Sequence, residues 1–105
     1  MKVYISLPIS GCEEQARVRA DMVKIRLSKQ GYEVVNPFDI PIREKHPDWY
    51  DYMSKDLREL DKCDAIYMCV GWDNSYGCKL ERFFAEMKGK KVILECVHEP
   101  EKYWR

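Results

Sequence analysis

Two acids in this chain have no helical neighbour to neutralise them, Glu81 and Asp56. Glu81 follows the polar turn Gly71-Trp72-Asp73-Asn74-Ser75-Tyr76-Gly77. On a helix its neighbours three and four residues away are Gly77, Cys78, Phe84 and Ala85, none of them a cation. Gly77 and Ala85 leave that row shallow, open to close approach by a ligand. Near a helix N-terminus the dipole favours the ionised carboxylate, the state a nucleophile needs. The bland alternative is a solvated acid beside the core stripe. Asp56 sits among Tyr52, Met53, Glu59 and Leu60, at the mouth of a cleft or at the edge of the buried face. Enclosure there would raise its pKa by desolvation and suit it to general acid work.

Other polar groups could serve the same site. The turn Leu7-Pro8-Ile9-Ser10-Gly11-Cys12 is neither a dinucleotide fingerprint nor a Walker A loop. It can still present Ser10 and backbone N–H groups at the start of a helix, a weak anion site. Ser75 either caps the helix after it or touches a ligand. Tyr4 reads as core, its hydroxyl satisfied by a polar partner. Trp72 and Tyr76 offer a stacking surface or simply pack, and Trp49, Tyr50 and Tyr52 read as core and interface. The five cysteines form no C-x-x-C pair, and His46 and His98 lack second ligands at metal spacing. No metal, no cofactor and no disulfide framework is expected.

The elements needed to position these groups follow from periodicity. Val3–Leu7 reads as a first strand, and residues 13–30 as a helix with Ala16, Ala20, Val23 and Leu27 inward. Gly31 stops that helix and Tyr32–Val35 forms a second strand. Pro37, Pro41 and Pro47 make residues 36–48 a loop, with room for a short helical turn. A second helix over residues 48–62 turns Trp49, Met53, Leu57 and Leu60 inward. Residues 64–70, containing the apolar run Ala65–Val70, form a buried strand. The helix over residues 76–88 has its apolar residues at Leu80, Phe83, Phe84 and Met87, and Lys91–Cys96 closes a fourth strand. This order predicts a parallel sheet with right-handed crossovers, carried by one domain over residues 1–105.

Composition narrows the function classes. The formal net charge is zero, with 18 basic and 18 acidic residues, which argues against a nucleic-acid polymer as partner. No apolar run approaches transmembrane length and the chain enters a strand directly, so neither a membrane span nor a signal peptide is expected. A cytoplasmic protein is the expectation.

The segments Lys2-Val3-Tyr4-Ile5-Ser6, Asp56…Cys63-Asp64-Ala65-Ile66 and Ser75-x-Gly77-x-x-x-Glu81 resemble the nucleoside 2-deoxyribosyltransferase superfamily. Tyr52-Met53-x-x-Asp56-Leu57 and Gly71-Trp72-x-x-Ser75-x-Gly77-x-x-x-Glu81 are similar to its small DUF4406 branch, over roughly residues 2–94. The resemblance implies a flavodoxin-like, Rossmann-like three-layer sandwich with sheet order 2-1-3-4. It implies cleavage or transfer at the N-glycosidic bond of deoxynucleosides or their monophosphates. Glu81 would then be the nucleophile, Asp56 would assist departure of the base, and Tyr4 would orient the carboxylate or the sugar. Ser75, Gly77, Pro8, Ser10, Gly11 and Trp72 would contact the substrate. Ser75 stands where related nucleotide hydrolases carry a serine near the phosphate, and Lys79 where characterised members carry glycine. A homodimer or higher homo-oligomer is implied as well. The short tail Val97–Arg105, where relatives continue into a fifth strand, leaves a non-catalytic nucleotide-binding module as the alternative.

Overall fold

The computed structural model describes residues 1–95. Four strands form one parallel sheet: β1 (Lys2–Ser6), β2 (Glu33–Val35), β3 (Ala65–Met68) and β4 (Lys91–Leu94), in the order β2-β1-β3-β4. Three α-helices connect them: α1 (Glu13–Lys29), α2 (Trp49–Asp61) and α3 (Tyr76–Met87). Cys96, expected in the fourth strand, and the tail with His98 lie outside the described residues. The expected α/β three-layer sandwich is observed.

β1 and β3 run side by side at the centre, with Val3 opposite Ala65, Tyr4 opposite Ile66 and Ser6 opposite Met68. β3 is buried along its whole length and β1 from Val3 onward, which explains their nearly continuous apolar reading. The period of two sorts their side chains between two cores. Val3, Ile5, Leu7, Ala65, Tyr67 and Cys69 pack under α1, against Ala16, Ala20, Val23 and Leu27. Tyr4, Ile66 and Met68 face the other way, toward Leu60 of α2 and Cys78 and Ala85 of α3. Ser6 shares that second face, since it lies two residues from Tyr4.

Local chemistry sets the helix ends. Asp48 and Asp51 form a reciprocal capping box at the start of α2, each side chain accepting from the other's backbone N–H at 2.9 Å. Ser75 Oγ accepts from Cys78 N at 3.2 Å and caps α3. Pro37–Asp39 forms a short 3-10 turn inside the proline-rich loop, with Asn36 accepting from Phe38 N at its start.

Two helices present different faces from those their apolar residues suggest. The buried residues of α3 are Cys78, Glu81 and Ala85, while Phe83 and Met87 are exposed. Small residues on the inner row let the helix approach the sheet closely, which brings Glu81 inward and turns Phe83 out. In α2 the buried row is Met53, Asp56 and Leu60. Leu57 is half-buried, and Trp49, expected inward, is exposed because it lies on the first turn between two surface hollows.

The turn after β3 depends on Gly71, which adopts a left-handed φ of 95°. A Cβ there would also meet Pro8 Cγ at 3.4 Å. Gly71→Ala should therefore destabilise the protein by roughly 1–2 kcal/mol, the cost of a left-handed non-glycine residue. Gly77 is helical, and its added Cβ would make an ordinary 3.5 Å contact with Met53 Sδ. Gly77→Ala should leave stability nearly unchanged. Urea unfolding of both variants provides the comparison, and equal losses would refute this account of the turn.

Candidate active site

A cavity of about 520 Å³ opens at the carboxyl ends of β1 and β3, where ligands bind in open α/β sheets. Its walls come from five segments. The first turn contributes Ile9 and Ser10, α1 contributes Glu13 and Arg17, and the 3-10 turn contributes Pro37 and Phe38. α2 supplies Trp49, Tyr52, Met53, Lys55 and Asp56, and the start of α3 supplies Ser75, Gly77, Cys78 and Glu81.

Glu81 is 5% exposed, yet it lacks no hydrogen-bond partner. Its Oε2 accepts from the Tyr4 hydroxyl at 2.7 Å and its Oε1 from the Ser6 hydroxyl at 2.6 Å. Burial, then the charge of Asp56, pushes its pKa up to about 7, and the two hydroxyls and the Lys55 ammonium oppose the rise. The expected N-terminal dipole effect does not prevail. Glu81 is the sixth residue of α3, beyond the first turn where that field acts. Tyr4, fully buried beside two carboxylates, has its phenol pushed well above the usual range and stays a donor.

Asp56 is enclosed, as the cleft reading required. Burial raises its pKa, while a hydrogen bond and the charge of Lys55, with help from Tyr4, pull it back. Lys55 Nζ lies 2.8 Å from Asp56 Oδ1 and 3.2 Å from the Pro37 carbonyl oxygen. On the opposite wall the Arg17 guanidinium stacks over the Phe38 ring at 4.6 Å. Among the described residues no group of three His, Cys, Asp or Glu is placed to hold a metal ion. No helix there is long and apolar enough to cross a membrane.

Residues 1–94 match the family described as Domain of unknown function (DUF4406). The chain belongs to this DUF4406 family. No curated protein matches it. Its fold is shared with a CMP N-glycosidase from Clostridium botulinum, at 24% identity and TM-score 0.61, over 90% of this chain and 67% of that one. A 2-deoxyribosyltransferase from Leishmania mexicana aligns with TM-score 0.67 and 17% identity, over 98% and 71%. Another, from the psychrotolerant bacterium Bacillus psychrosaccharolyticus, aligns with TM-score 0.70 and 19% identity, over 92% and 77%.

Within this DUF4406 chain the residues singled out by sequence divide into two groups. Glu81, Asp56, Ser75, Gly77 and Ser10 line the cavity, and Tyr4 lies beneath it, bonded to Glu81. Ser75 is both helix cap and wall. Pro8, Gly11 and Trp72 are not part of the lining. Pro8 packs near Gly71, Gly11 forms the exposed turn, and Trp72 is half-buried under the Arg82 guanidinium, 4.6 Å from its ring. Tyr76 leans against Trp49 at 5.7 Å on the outer side. Trp49 and Tyr52, read as core and interface, are cavity walls.

Sequence reading missed Ser6, Lys55, Arg17 and Phe38. Ser6 had a detectable signal: a lone hydroxyl in a buried strand, two residues from Tyr4 and therefore on the same face. Lys55 had none, because adjacent helix positions diverge. Arg17 and Phe38 meet only through the tertiary fold.

The raised pKa of Glu81 has a consequence for stability. Glutamate ordinarily ionises near 4.5, and Glu81 in the folded chain at about 7. Between those values the folded state holds more protons than the unfolded one, so stability falls as pH rises through the window. Glu81→Gln removes that penalty. Relative to wild type it should gain up to about 3 kcal/mol at pH 8 and much less at pH 4. Urea unfolding at the two pH values measures the difference, and a pH-independent gap would contradict the assignment.

Proposed function

We propose that this protein breaks or exchanges the N-glycosidic bond of a deoxynucleoside or its monophosphate, with Glu81 as nucleophile and Asp56 as the acid. The observation that carries the reading is the buried Glu81 carboxylate at the cavity wall, held by hydroxyls from Tyr4 and Ser6 in company with Asp56. Two neutral donors hold a carboxylate in place without cancelling its charge, as a salt bridge would. The structural relatives, an N-glycosidase and two deoxyribosyltransferases, support the same chemistry.

The steps follow from charge. As the bond between the anomeric carbon and the base nitrogen breaks, positive charge develops on the sugar and negative charge on the base. Glu81 stabilises the first and closes a covalent ester at the anomeric carbon, as in retaining glycosidases. Asp56 donates its proton to the departing base. Water then attacks the same carbon, Asp56 takes its proton, and Glu81 is released; a second base in place of water gives transfer. Tyr4 and Ser6 keep the Glu81 oxygens aimed, and Trp49, Tyr52 and Phe38 provide apolar and aromatic walls for a base or sugar. Ser75 and Ser10 are the hydroxyls placed for contacts to sugar or phosphate.

Incubation with a panel of deoxynucleosides and their monophosphates, followed by chromatography, should reveal free base. Glu81→Ala should abolish release, and Asp56→Ala should slow it about 10²–10⁴-fold, the usual worth of general acid catalysis. Base release that persists undiminished in Glu81→Ala would overturn the reading. A nucleotide that raises the melting temperature without any turnover would instead indicate a binding module.

The same reading includes a homodimer. Trp49, Tyr50, Tyr76 and Phe83 are exposed on α2 and α3. A second hollow of about 460 Å³ runs between these helices, walled by Met53, Leu57 and Leu80 among others. An exposed aromatic surface of this kind suits an isologous contact. Light scattering at micromolar concentration should give twice the chain mass, and Tyr50→Glu should shift the population toward monomer. A wild-type monomer would refute the dimer.

A further inference from the structure

Asp56 has a partner that helix geometry does not supply. With 3.6 residues per turn, consecutive side chains point about 100° apart, so Lys55 and Asp56 should diverge. The lysine stem instead bends back until Nζ reaches Asp56 Oδ1 at 2.8 Å. The same ammonium donates to the Pro37 carbonyl at 3.2 Å, tying α2 to the 3-10 turn that walls the cavity. The two side chains are 15% and 9% exposed, whereas Lys24 and Asp39 in a surface pair are 42% and 56% exposed. A surface pair contributes little, but a shielded one governs the charge of its neighbours because water no longer screens it.

The groups around Asp56 can be named from each element. β1 brings Tyr4, α3 brings Glu81, α2 brings Lys55, and the 3-10 turn brings only the Pro37 carbonyl. Glu13 and Arg17 of α1 and Cys78 of α3 line the same cavity. Lys55 acts unequally on the two acids. Glu81 keeps the Tyr4 and Ser6 hydroxyls whatever Lys55 does, whereas Asp56 depends on Lys55 for its direct cationic contact.

We propose that Lys55 is a positioning residue that orders the two ionisations, holding Asp56 as the carboxylate so that it is the first of the two acids to ionise. This is the reverse of the arrangement in which Glu81 attacks and Asp56 donates. For its consequence, the inference rests on the reading given under Proposed function. A ligand group that draws the ammonium from Asp56 reverses the order. The proton lost by Glu81 is then the one taken up by Asp56 in the same cavity. One proton moves in all. Lys55 thus keeps the proton off Asp56 until a ligand arrives.

The test needs no substrate. With ¹³C-labelled protein, the carboxyl carbons of Asp56 and Glu81 are titrated by NMR in wild type, Lys55→Met and Lys55→Arg. Asp56 should ionise at lower pH than Glu81 in wild type. Lys55→Met should shift the Asp56 equilibrium by about tenfold or more toward the acid form, one pH unit. It should also narrow or invert the gap to Glu81, while Lys55→Arg keeps the wild-type order. Glu81 ionising first in wild type would overturn the proposal even if Lys55→Met failed to fold. So would unmoved midpoints in folded Lys55→Met, or a Lys55→Arg variant that behaves like Lys55→Met. A purely structural lysine would alter the melting temperature and leave the order of ionisation alone. Because no turnover is read, absence of base release would count against the glycosidic function without touching this result.

Discussion

The buried carboxylate of Glu81 is the constraint around which the site is organised. An acid this deep in a protein loses most of its hydration, and the loss is tolerable only if neighbouring groups take the place of water. Tyr4 and Ser6 do so from the central strand, at 2.7 and 2.6 Å. Their position follows from the sheet: β1 lies between β2 and β3, so its side chains project into the cores on either face. The small inner row of α3, with Cys78 and Ala85, then lets the helix come close enough for Glu81 to reach both hydroxyls.

Placing a second acid in the same cavity creates an electrostatic problem that the fold resolves by asymmetry. Glu81 receives neutral donors and is pushed up to about 7, poised between its two forms near neutrality. Asp56 receives a cation from its own helix. Two carboxyls in different surroundings can take different protonation states and hence different tasks, which is the general basis of paired-acid chemistry. The proline-rich segment takes part in this division, because Lys55 spans from Asp56 to the Pro37 carbonyl. A loop that could have been mere connection is a wall of the site and an anchor for one of its charges.

Membership of the DUF4406 family, and a fold shared with an N-glycosidase and deoxyribosyltransferases, agree with this architecture. The exit from β3 is braced as well. Glu95 accepts from Val70 N at 2.7 Å and from Arg19 at 2.8 Å, which fastens the strand end just before Gly71 and the turn leading to Ser75. Hydrogen bonds from Val70 and Arg19 outweigh burial and hold the Glu95 carboxyl below its usual range, so the brace stays charged.

Apolar runs and helical periodicity were enough to read the four strands and the three helices, and their alternation to read a parallel sheet, because these are local properties of the chain. The unpaired status of Glu81 and Asp56 within their helical rows was legible for the same reason. The inward face of α3 was not: apolar residues alone point to Phe83 and Met87, whereas packing chose Cys78, Glu81 and Ala85. Trp49 likewise reads as core and stands at the surface. Ser6 could have been found by counting along β1, but Lys55 could not, since its bond to Asp56 runs against the divergence of adjacent helix positions. The stack of Arg17 on Phe38 joins residues of α1 and the 3-10 turn that no spacing rule relates. The chain's local patterns settled which elements form and that no cation stands three or four residues from Glu81 or Asp56. Only the tertiary structure decided which hydroxyls and which cation those acids meet, because such contacts depend on how closely the helices settle on the sheet.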